Sequence, residues 1–227
     1  MVMTKATHTD IRETPLYTAS EAAHYLRVPA STVRAWAFGQ AGRFKPVIAL
    51  AKVQERRLSF INLVELFVLG AIRRRHGVAL PQVRKALDFL KKHFPSAHPL
   101  ADHEFQTNGV DLFVEKFGEY LNLSQDGQYE IKQLIQARLR CVTRDEAGKP
   151  LQLYLNPRGA DAADRGIVII DPRFGFGRPV IEGTGIRTEV IVDRFSAGEP
   201  IDSIASDYGR SRAEIEEIVR AELPLAA

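Results

Sequence analysis

Residues 17–36 read YTASEAAHYLRVPASTVRAW, and this stretch decides the fold of the first part of the chain. Thr18 and Glu21 have the spacing of a capping box, which predicts that a short helix begins there. Val28 and Pro29 then interrupt the helical pattern, and a second short helix follows. Apolar residues lie at helical spacing on both sides of this turn, at Ala22, Ala23, Leu26, Val33, Trp36 and Ala37. The pattern therefore predicts two short helices joined by a tight turn.

The second of these helices carries small hydroxyl groups and an arginine near its start. Ser31 and Thr32 are short enough to let the backbone approach the major groove, and Arg34 can reach guanine or phosphate. Residues 39–58 follow as a hairpin-like stretch, which is a candidate wing with further cations. We predict DNA contacts for Ser31, Thr32, Arg34, Arg43, Lys45, Lys52, Arg56 and Arg57. A helical hairpin used only for packing is the alternative, but the basic surplus on the same segment disfavours it.

Two motifs in this region resemble the winged helix-turn-helix of MerR-type regulators. They are Ser20-Glu21-Ala22-Ala23 with Leu26 and Val28, and Ser31-Thr32-Val33-Arg34 with Trp36. The resemblance covers roughly residues 16–92, and Pro29 stands where the family commonly has a capping serine or threonine. It implies a winged helix-turn-helix domain that reads operator DNA, and such operators are commonly paired half-sites matched to a dimer.

The charge of the chain is divided unevenly along its length. The 227 residues are 45% hydrophobic and 26% charged, a globular composition that excludes disordered, collagen-like and coiled-coil proteins. Residues 1–100 contain 16 Lys and Arg against 6 Asp and Glu, a net +10, and the remaining residues contain 15 against 22, a net −7. Because a basic surface suits polyanions and an acidic one repels them, the two halves are expected to have different partners.

The sequence indicates neither a secretory signal nor a membrane span. The start of the chain has no apolar stretch behind a basic end, and the most apolar region, residues 60–72, is interrupted by Asn62, Glu65 and Gly70. Cys141 is the single cysteine, so an internal disulfide is impossible. A reducing cytoplasm is therefore the expected location.

The last part of the chain has a Gly- and Pro-rich tract, residues 177–186, which reads GRPVIEGTGI. A short apolar strand, residues 167–170, precedes it and ends at Asp171-Pro172. Helices follow to residue 223, stopped by Gly198 and Gly209, and Ser211 and Glu214 form a further capping box. The spacing within the tract would also allow Arg178 and Glu182 to pair across it.

This part of the chain resembles a small domain family of long-unknown function that is associated with VapB-type antitoxins. The resemblance covers about 60 residues and depends on Asp171-Pro172 and on the tract from Gly177 to Ile186. Gly185 stands where that family has an arginine, and Arg187 follows two positions later on the same face of an extended segment. The resemblance implies a toxin-binding domain, with Arg178, Glu182 and Arg187 as the candidate toxin contacts.

These patterns predict an α+β protein with three parts. Residues 1–95 form the winged helix-turn-helix, and residues 166–227 form a small helical toxin-binding domain with packing like a helix-turn-helix. Residues 96–165 form a mixed, β-rich connecting and dimerisation region, with strands at 110–114 and 151–155 and either a helix or a strand at 131–139. A second copy is expected to pair through strand edges at 105–155, or alternatively through Leu63, Leu66 and Leu69.

The combined interpretation is a cytoplasmic antitoxin of a type II toxin–antitoxin pair. Its partners would be operator DNA, which it binds as a homodimer to repress its own operon, and a toxin that family resemblance indicates is a PIN-like ribonuclease. One alternative is a MerR-class regulator in which residues 95–165 sense a small effector. Another is a recombination-directionality factor that uses the same winged helix.

No pattern in the sequence indicates an enzyme, a cofactor or a metal site. His93, His98 and His103 lie near Asp102 and Glu104, but the spacing matches no usual set of metal ligands. Gly175-Phe176-Gly177 lacks the third glycine of a dinucleotide loop, and no P-loop lysine follows it. Cys141 has no nearby sequence partner for nucleophilic chemistry and is expected to be a packed thiol.

Overall fold

The computed structural model describes residues 10–50, 55–76, 80–94, 96–155 and 165–222, with only the backbone at 73–76. Within these ranges the chain forms nine α-helices and one four-stranded antiparallel sheet. This confirms the α+β class. None of the helices described is long and apolar enough to cross a membrane.

The helix-turn-helix follows the sequence prediction closely. A 3-10 turn at Ile11–Glu13 precedes α1, Ala19–Leu26, and α2, Ala30–Phe38. Thr18 Oγ1 accepts from the Glu21 amide at 3.2 Å, and a Glu21 carboxylate oxygen accepts from the Thr18 amide at 2.8 Å, so the capping box is present. Arg27 adopts a left-handed conformation that ends α1, and α2 then begins after Pro29 with no side-chain cap.

The predicted hairpin at 39–58 is reduced to a tight turn in the part that is described. Gln40 and Phe44 make a single isolated bridge, and Tyr17 makes another with Leu58. Gly39 has a positive φ of 67°, and a Cβ at this position would lie 2.6 Å from the Phe44 carbonyl oxygen. The turn therefore requires glycine at position 39. Lys52, one of the predicted DNA contacts, lies outside the described residues.

Helix α3, Phe60–His76, is the central element of the molecule, and α4, Leu80–His93, follows it. It packs against α1, a later helix and the sheet. Leu63, Leu66 and Leu69 are all fully buried within the chain. The alternative dimer interface at these leucines is therefore wrong, because their side chains already fill the core.

The strand predicted at 110–114 is wrong, because this segment is the start of a helix. A π-helical turn at Phe105–Gly109 leads into α5, Val110–Leu121. The pattern Val110, Phe113, Val114 and Phe117 has the i, i+3, i+4, i+7 spacing of a buried helix face, and all four side chains are buried. The undecided segment 131–139 is likewise helical, within α6, Gln125–Leu139.

The sheet is formed by both the central region and the last part of the chain. Its strands are β1, Val142–Arg144; β2, Pro150–Tyr154; β3, Val168–Ile170; and β4, Val180–Ile181, in the order β1-β2-β3-β4. Leu153 is opposite Ile170, and Ile169 is opposite Val180. The predicted boundary between residues 165 and 166 therefore falls between two paired strands of one sheet.

The last part of the chain ends in three short helices, as the sequence predicts. They are α7, Thr188–Ser196; α8, Ile201–Tyr208; and α9, Arg212–Glu222. Gly209 adopts the left-handed conformation that ends α8, and Ser211 and Glu214 form their predicted capping box before α9. The buried faces of α7, α8 and α9 pack on one another through Ile191, Ile204, Ile215, Ile218 and Val219.

Candidate functional site

The solvent face of α2 carries the residues that the sequence places on a recognition helix. Ser31 and Arg34 are exposed, and Thr32 is half-buried. The opposite face of the helix places Val33 and Trp36 in the core, at 0% and 1% exposure. The guanidinium of Arg34 lies 3.5 Å from the hydroxyl of Ser20 on α1. Among the residues that the structure describes, Arg34 therefore makes only a long hydrogen bond to a neutral group.

Four further predicted cations lie around this helix. Arg56 lies over the ring of Phe38, 4.6 Å from its centroid, and Arg57 donates to the carbonyl of Leu16 at 2.8 Å. Arg43 and Lys45 are exposed on the turn that follows α2. The structure thus places five predicted cations in the described part of one helix-turn-helix module: Arg34, Arg43, Lys45, Arg56 and Arg57. We call them the front cations.

Sequence reasoning missed one cation that contacts the same turn. Arg84 on α4 donates to the carbonyl of Lys45 at 2.5 Å, and its guanidinium lies 5.2 Å from the centroid of the Phe44 ring. No sequence signal links residue 84 to residues 44 and 45, since the contact depends on how α4 packs.

The front cations differ from the arginines of the last part of the chain in their partners. Within the ranges described, none of the front cations forms an ion pair with a carboxylate. By contrast, six arginines after residue 165 each lie within ion-pair distance of a carboxylate: Arg173, Arg178, Arg187, Arg194, Arg210 and Arg212. The front cations therefore offer positive charge that is not held in an ion pair within the described part of the chain.

The predicted pairing of Arg178 with Glu182 is wrong. Arg178 lies 3.2 Å from the carboxylate of Glu21 on α1 and 3.4 Å from the hydroxyl of Tyr25. Glu182 instead accepts a hydrogen bond from the hydroxyl of Tyr154 on β2. The cause is the chain path, because the Glu182 amide bonds to the Ile167 carbonyl beside the sheet, whereas Arg178 lies against α1.

Glu21 therefore contacts two parts of the chain through its two carboxylate oxygens. One carboxylate oxygen caps α1 through Thr18, and the other faces Arg178. Burial alone would raise the pKa of Glu21, but the hydrogen bonds from Thr18 and the charges of Arg178 and Arg57 lower it below its usual value. The carboxylate is thus held in its charged form, as both contacts require.

Other contacts join the helix-turn-helix to the last part of the chain. Tyr17 donates its hydroxyl to the Gly177 carbonyl at 2.8 Å, and His24 lies 2.8 Å from the carboxylate of Glu222. Arg27 donates to the carbonyl of Arg220. A cleft of about 340 Å³ lies between α1 and these C-terminal residues. Arg187, the third candidate toxin contact, is outside this set and pairs with Glu189 at 2.9 Å.

Two exposed aromatic residues lie next to these contacts, and no motif of the sequence predicts a role for them. Phe176 is 91% exposed and Phe174 is 51% exposed, in the segment just before the Gly- and Pro-rich tract. The signal that could have found them is the Gly175-Phe176-Gly177 sequence, since an aromatic residue between two glycines is unusual in a core.

His98 and His93 contact different groups of the protein. His98 bonds through Nδ1 to the buried carboxylate of Glu65 at 2.9 Å, and His93 lies 3.0 Å from the carbonyl of Phe89. Across the described residues no group of three or more potential metal ligands comes together. Cys141 is buried, its thiol lies 3.4 Å from the Ala137 carbonyl, and burial raises the pKa of this thiol.

Comparisons with known families match two parts of the chain. Residues 15–87 match the model of a "Putative DNA-binding HTH domain", which is the segment that contains α1, α2 and the front cations. Residues 168–220 match the "Protein of unknown function (DUF433)" family, which covers β3, β4 and most of the three C-terminal helices.

Two proteins and one crystal structure from Mycobacterium tuberculosis resemble the chain over most of its length. "Putative antitoxin VapB45" of strain ATCC 25618 / H37Rv is 31% identical over 220 residues, 87% of this chain and 89% of that protein. "Uncharacterized protein Rv2308" of the same strain is 25% identical over 224 residues, 93% and 91% of the two chains. The crystal structure of Rv2018 superposes with a TM-score of 0.69 at 27% identity, covering 91% of this chain and 97% of that one. The 31% identity over 87% of the chain shows that it belongs to the family of the M. tuberculosis protein "Putative antitoxin VapB45".

Proposed function

We propose that this chain is the antitoxin of a type II toxin–antitoxin pair that also represses its own operon. Its front cations would bind operator DNA as part of a homodimer, and its C-terminal part would hold a PIN-like ribonuclease toxin. The observation that carries the DNA-binding role is that the front cations are exposed around α2 and form no ion pair in the described part of the chain. The similarity to an antitoxin along most of the chain favours this role over an effector-sensing regulator or an excision factor.

Cations without a carboxylate partner are well suited to bind phosphate. A cation that contacts a phosphate releases condensed counterions from the DNA, and this supplies a large share of the affinity. An arginine already paired with a carboxylate would first have to give up that partner, which reduces the gain. Ser31 and Thr32 at the start of α2 let the helix approach the base edges, where Arg34 can bond to guanine.

The affinity for operator DNA should fall steeply as the salt concentration rises. We expect a log–log slope of about −0.9 for each neutralised phosphate, and a less steep slope, by about that amount, for each of Arg43→Ala and Lys45→Ala. Arg34→Ala should weaken specific binding by about 1–3 kcal/mol if Arg34 reads a base. The measurement is fluorescence anisotropy with the upstream DNA of the operon at several salt concentrations.

Arg212→Ala is the matched control for these substitutions. Arg212 is an exposed arginine on α9 that pairs with Asp202 and Glu216, so its loss should leave both the affinity and the salt slope unchanged. DNA affinity that is insensitive to salt, or that responds equally to Arg212→Ala and Arg34→Ala, would contradict the proposed surface.

The toxin-binding role rests on arginines that can reach a carboxylate cluster. The metal-binding centre of a PIN-like ribonuclease is acidic, and a guanidinium can occupy such a site by two parallel hydrogen bonds. We propose Arg178, Glu182 and Arg187 as toxin contacts. A substitution of Arg187 gives the clearest test of the three, because its side chain is 42% exposed and its partner Glu189 is also at the surface.

Arg187→Ala should raise the concentration of antitoxin that half-inhibits the ribonuclease by more than tenfold. Arg187→Lys should recover only part of this loss, because lysine keeps the charge but cannot form the paired hydrogen bonds. The assay mixes the full chain with the product of the neighbouring gene, which the proposal expects to be the ribonuclease, and follows RNA cleavage. Full inhibition by Arg187→Ala, with wild-type potency, would remove Arg187 from the interface.

A further inference from the structure

Helix α1 is attached to the last part of the chain by four contacts. Glu21 and His24 are three positions apart and share one face of α1, while Tyr17 and Arg27 lie just before and just after the helix. Each of these residues contacts a group more than 150 positions away. The four pairs are Tyr17 with Gly177, Glu21 with Arg178, His24 with Glu222 and Arg27 with Arg220, and we call them the α1 interface.

The start of α1 is held by the Gly- and Pro-rich tract. Tyr17 is buried, and its hydroxyl donates to the Gly177 carbonyl at 2.8 Å. A Cβ at Gly177 would lie 2.5 Å from this hydroxyl, so the two segments are in close contact. The guanidinium of Arg178 lies 3.2 Å from the carboxylate of Glu21 and 3.4 Å from the hydroxyl of Tyr25. Two adjacent residues of the tract thus contact both the residue before the capping box and the glutamate within it.

The end of α1 is held by the last helix of the described chain. His24 lies 2.8 Å from the carboxylate of Glu222, and Arg27 donates to the carbonyl of Arg220. Glu222 also accepts a hydrogen bond from the hydroxyl of Thr188, which connects this point to α7. Because two separate segments of the C-terminal part hold the two ends of an eight-residue helix, they fix the direction of α1 as well as its position.

The orientation of α1 determines the orientation of the recognition helix. Ala22 and Leu26 are buried on another face of α1, and α1 packs against α2. The guanidinium of Arg34 on α2 also lies 3.5 Å from the hydroxyl of Ser20 on α1. In a helix-turn-helix the first helix crosses the DNA backbone while the second enters the major groove. A change in the direction of α1 would therefore move the side chains of α2 relative to the bases.

We propose that the α1 interface positions the helix-turn-helix for sequence recognition, so that specific operator binding requires the C-terminal part of the chain. The inference rests on the proposed DNA-binding function and concerns its specificity. Contacts of the front cations with phosphate give affinity without sequence information, whereas base edges are read only when α2 lies correctly in the groove. Loss of the interface should therefore lower the preference for operator DNA more than the affinity for DNA of any sequence. Arg178 is in this respect a positioning residue, because it acts through Glu21 and α1.

Reversing the charge of Arg178 tests this role. Arg178→Glu places a carboxylate beside Glu21, and like charges in contact oppose the observed packing. We expect the ratio between the affinity for the upstream DNA of the operon and the affinity for an unrelated duplex of equal length to fall by at least about tenfold. Both affinities are measured by fluorescence anisotropy with the full chain and DNA alone, so that a toxin contact of Arg178 does not enter.

Arg212→Glu is the matched control for this variant. It makes the same change in net charge at an exposed arginine of α9 that pairs with Asp202 and Glu216, outside the α1 interface. Its ratio of the two affinities should stay within about twofold of the wild type. A ratio that falls equally in Arg178→Glu and Arg212→Glu would assign the effect to net charge and overturn the positioning role.

Two further variants separate positioning from a loss of folded protein. Glutamine can replace glutamate in a capping box, so adding Glu21→Gln to Arg178→Glu removes the repulsion and keeps the cap of α1. This double variant should recover the ratio of affinities to within about threefold of the wild type. Tyr17→Phe removes one hydroxyl and no charge, and it should lower the ratio by about threefold even where Arg178→Glu does not fold.

The outcomes distinguish the positioning role from the DNA-binding function. An equal fall of both affinities in Arg178→Glu, the absence of recovery in the double variant, or an unchanged ratio in Tyr17→Phe overturns the positioning role and leaves DNA binding standing. A wild-type chain that binds the upstream DNA and the unrelated duplex equally overturns specific operator recognition together with the positioning role.

Discussion

Replacing His98 with alanine is expected to lower the free energy of unfolding by about 3–5 kcal/mol at pH 7, because it leaves a buried carboxylate without its partner. Glu65 lies in the middle of α3 and is 1% exposed. One of its oxygens lies 2.9 Å from His98 Nδ1 and 3.3 Å from the amide of Asn62. Asn62 can supply only a neutral hydrogen bond, so most of the compensation for burying this charge is lost with the imidazole.

The cost of His98→Ala should depend on pH. Burial raises the pKa of Glu65 above its usual value, although the hydrogen bond and charge of His98 oppose this. Burial alone would lower the pKa of His98, but Glu65 raises it, with a smaller contribution from Glu13 and against the charge of Lys91. In the wild type the stability that His98 contributes is therefore fully present below pH 6.5 and is lost as the pH rises through the raised pKa.

In the variant, Glu65 alone must take up a proton to remain buried. This is easy near pH 5 and costly at pH 7, so the difference from the wild type should be smaller at pH 5. Urea unfolding at the two pH values measures it. His93→Ala is the control, because His93 is exposed and contacts only a backbone carbonyl and the ring of Phe89 among the described interactions. A His98→Ala cost that is the same at both pH values would contradict the buried pair.

Trp36→Ala should destabilise the protein by about 3–5 kcal/mol and abolish DNA binding near physiological temperature. Trp36 is 1% exposed and is among the largest fully buried side chains described. Its carbonyl also accepts the amides of Val47 and Ile48, at 2.7 and 3.4 Å, so the turn that carries Arg43 and Lys45 is attached to this residue. A cavity here would loosen α2 and that turn together.

Thermal unfolding and DNA binding of the same samples measure this effect. Ser31→Ala on the exposed face of α2 is the control, and it should change stability by no more than about 0.5 kcal/mol. A Trp36→Ala protein that unfolds at the wild-type temperature would show that α2 is not part of the core.

The sequence correctly predicted the helix boundaries that depend on residues close together along the chain. The capping boxes at Thr18 and Ser211 set where α1 and α9 begin, and Gly209 ends α8, since these choices involve residues only a few positions apart. The prediction of a strand at 110–114 was wrong, because a local pattern of this length does not distinguish a strand from a helix. Five residues, four of them apolar, are too few to separate a strand from a helix, and the helical spacing becomes clear only when Phe117 is included.

The site was less predictable because its contacts join distant parts of the chain. The exposure of Arg34 follows from helix spacing, but the pairing of Arg178 with Glu21 spans 157 positions and depends on how two modules pack. The exposure of Phe176 was not predictable, because composition alone assigns phenylalanine to the core. The folded structure leaves its side chain 91% exposed.

The pairing of β2 with β3 has a consequence for any attempt to isolate the first half of the chain. A fragment that ends before residue 166 keeps β1 and β2 but loses β3, which leaves Leu153 without its strand partner Ile170 and the amide of Leu155 without the carbonyl of Val168. An edge strand with unsatisfied hydrogen bonds and apolar side chains is a template for aggregation. Truncation would therefore make the fragment associate with itself. The DNA affinity measured for such a fragment would then depend on how far it had aggregated.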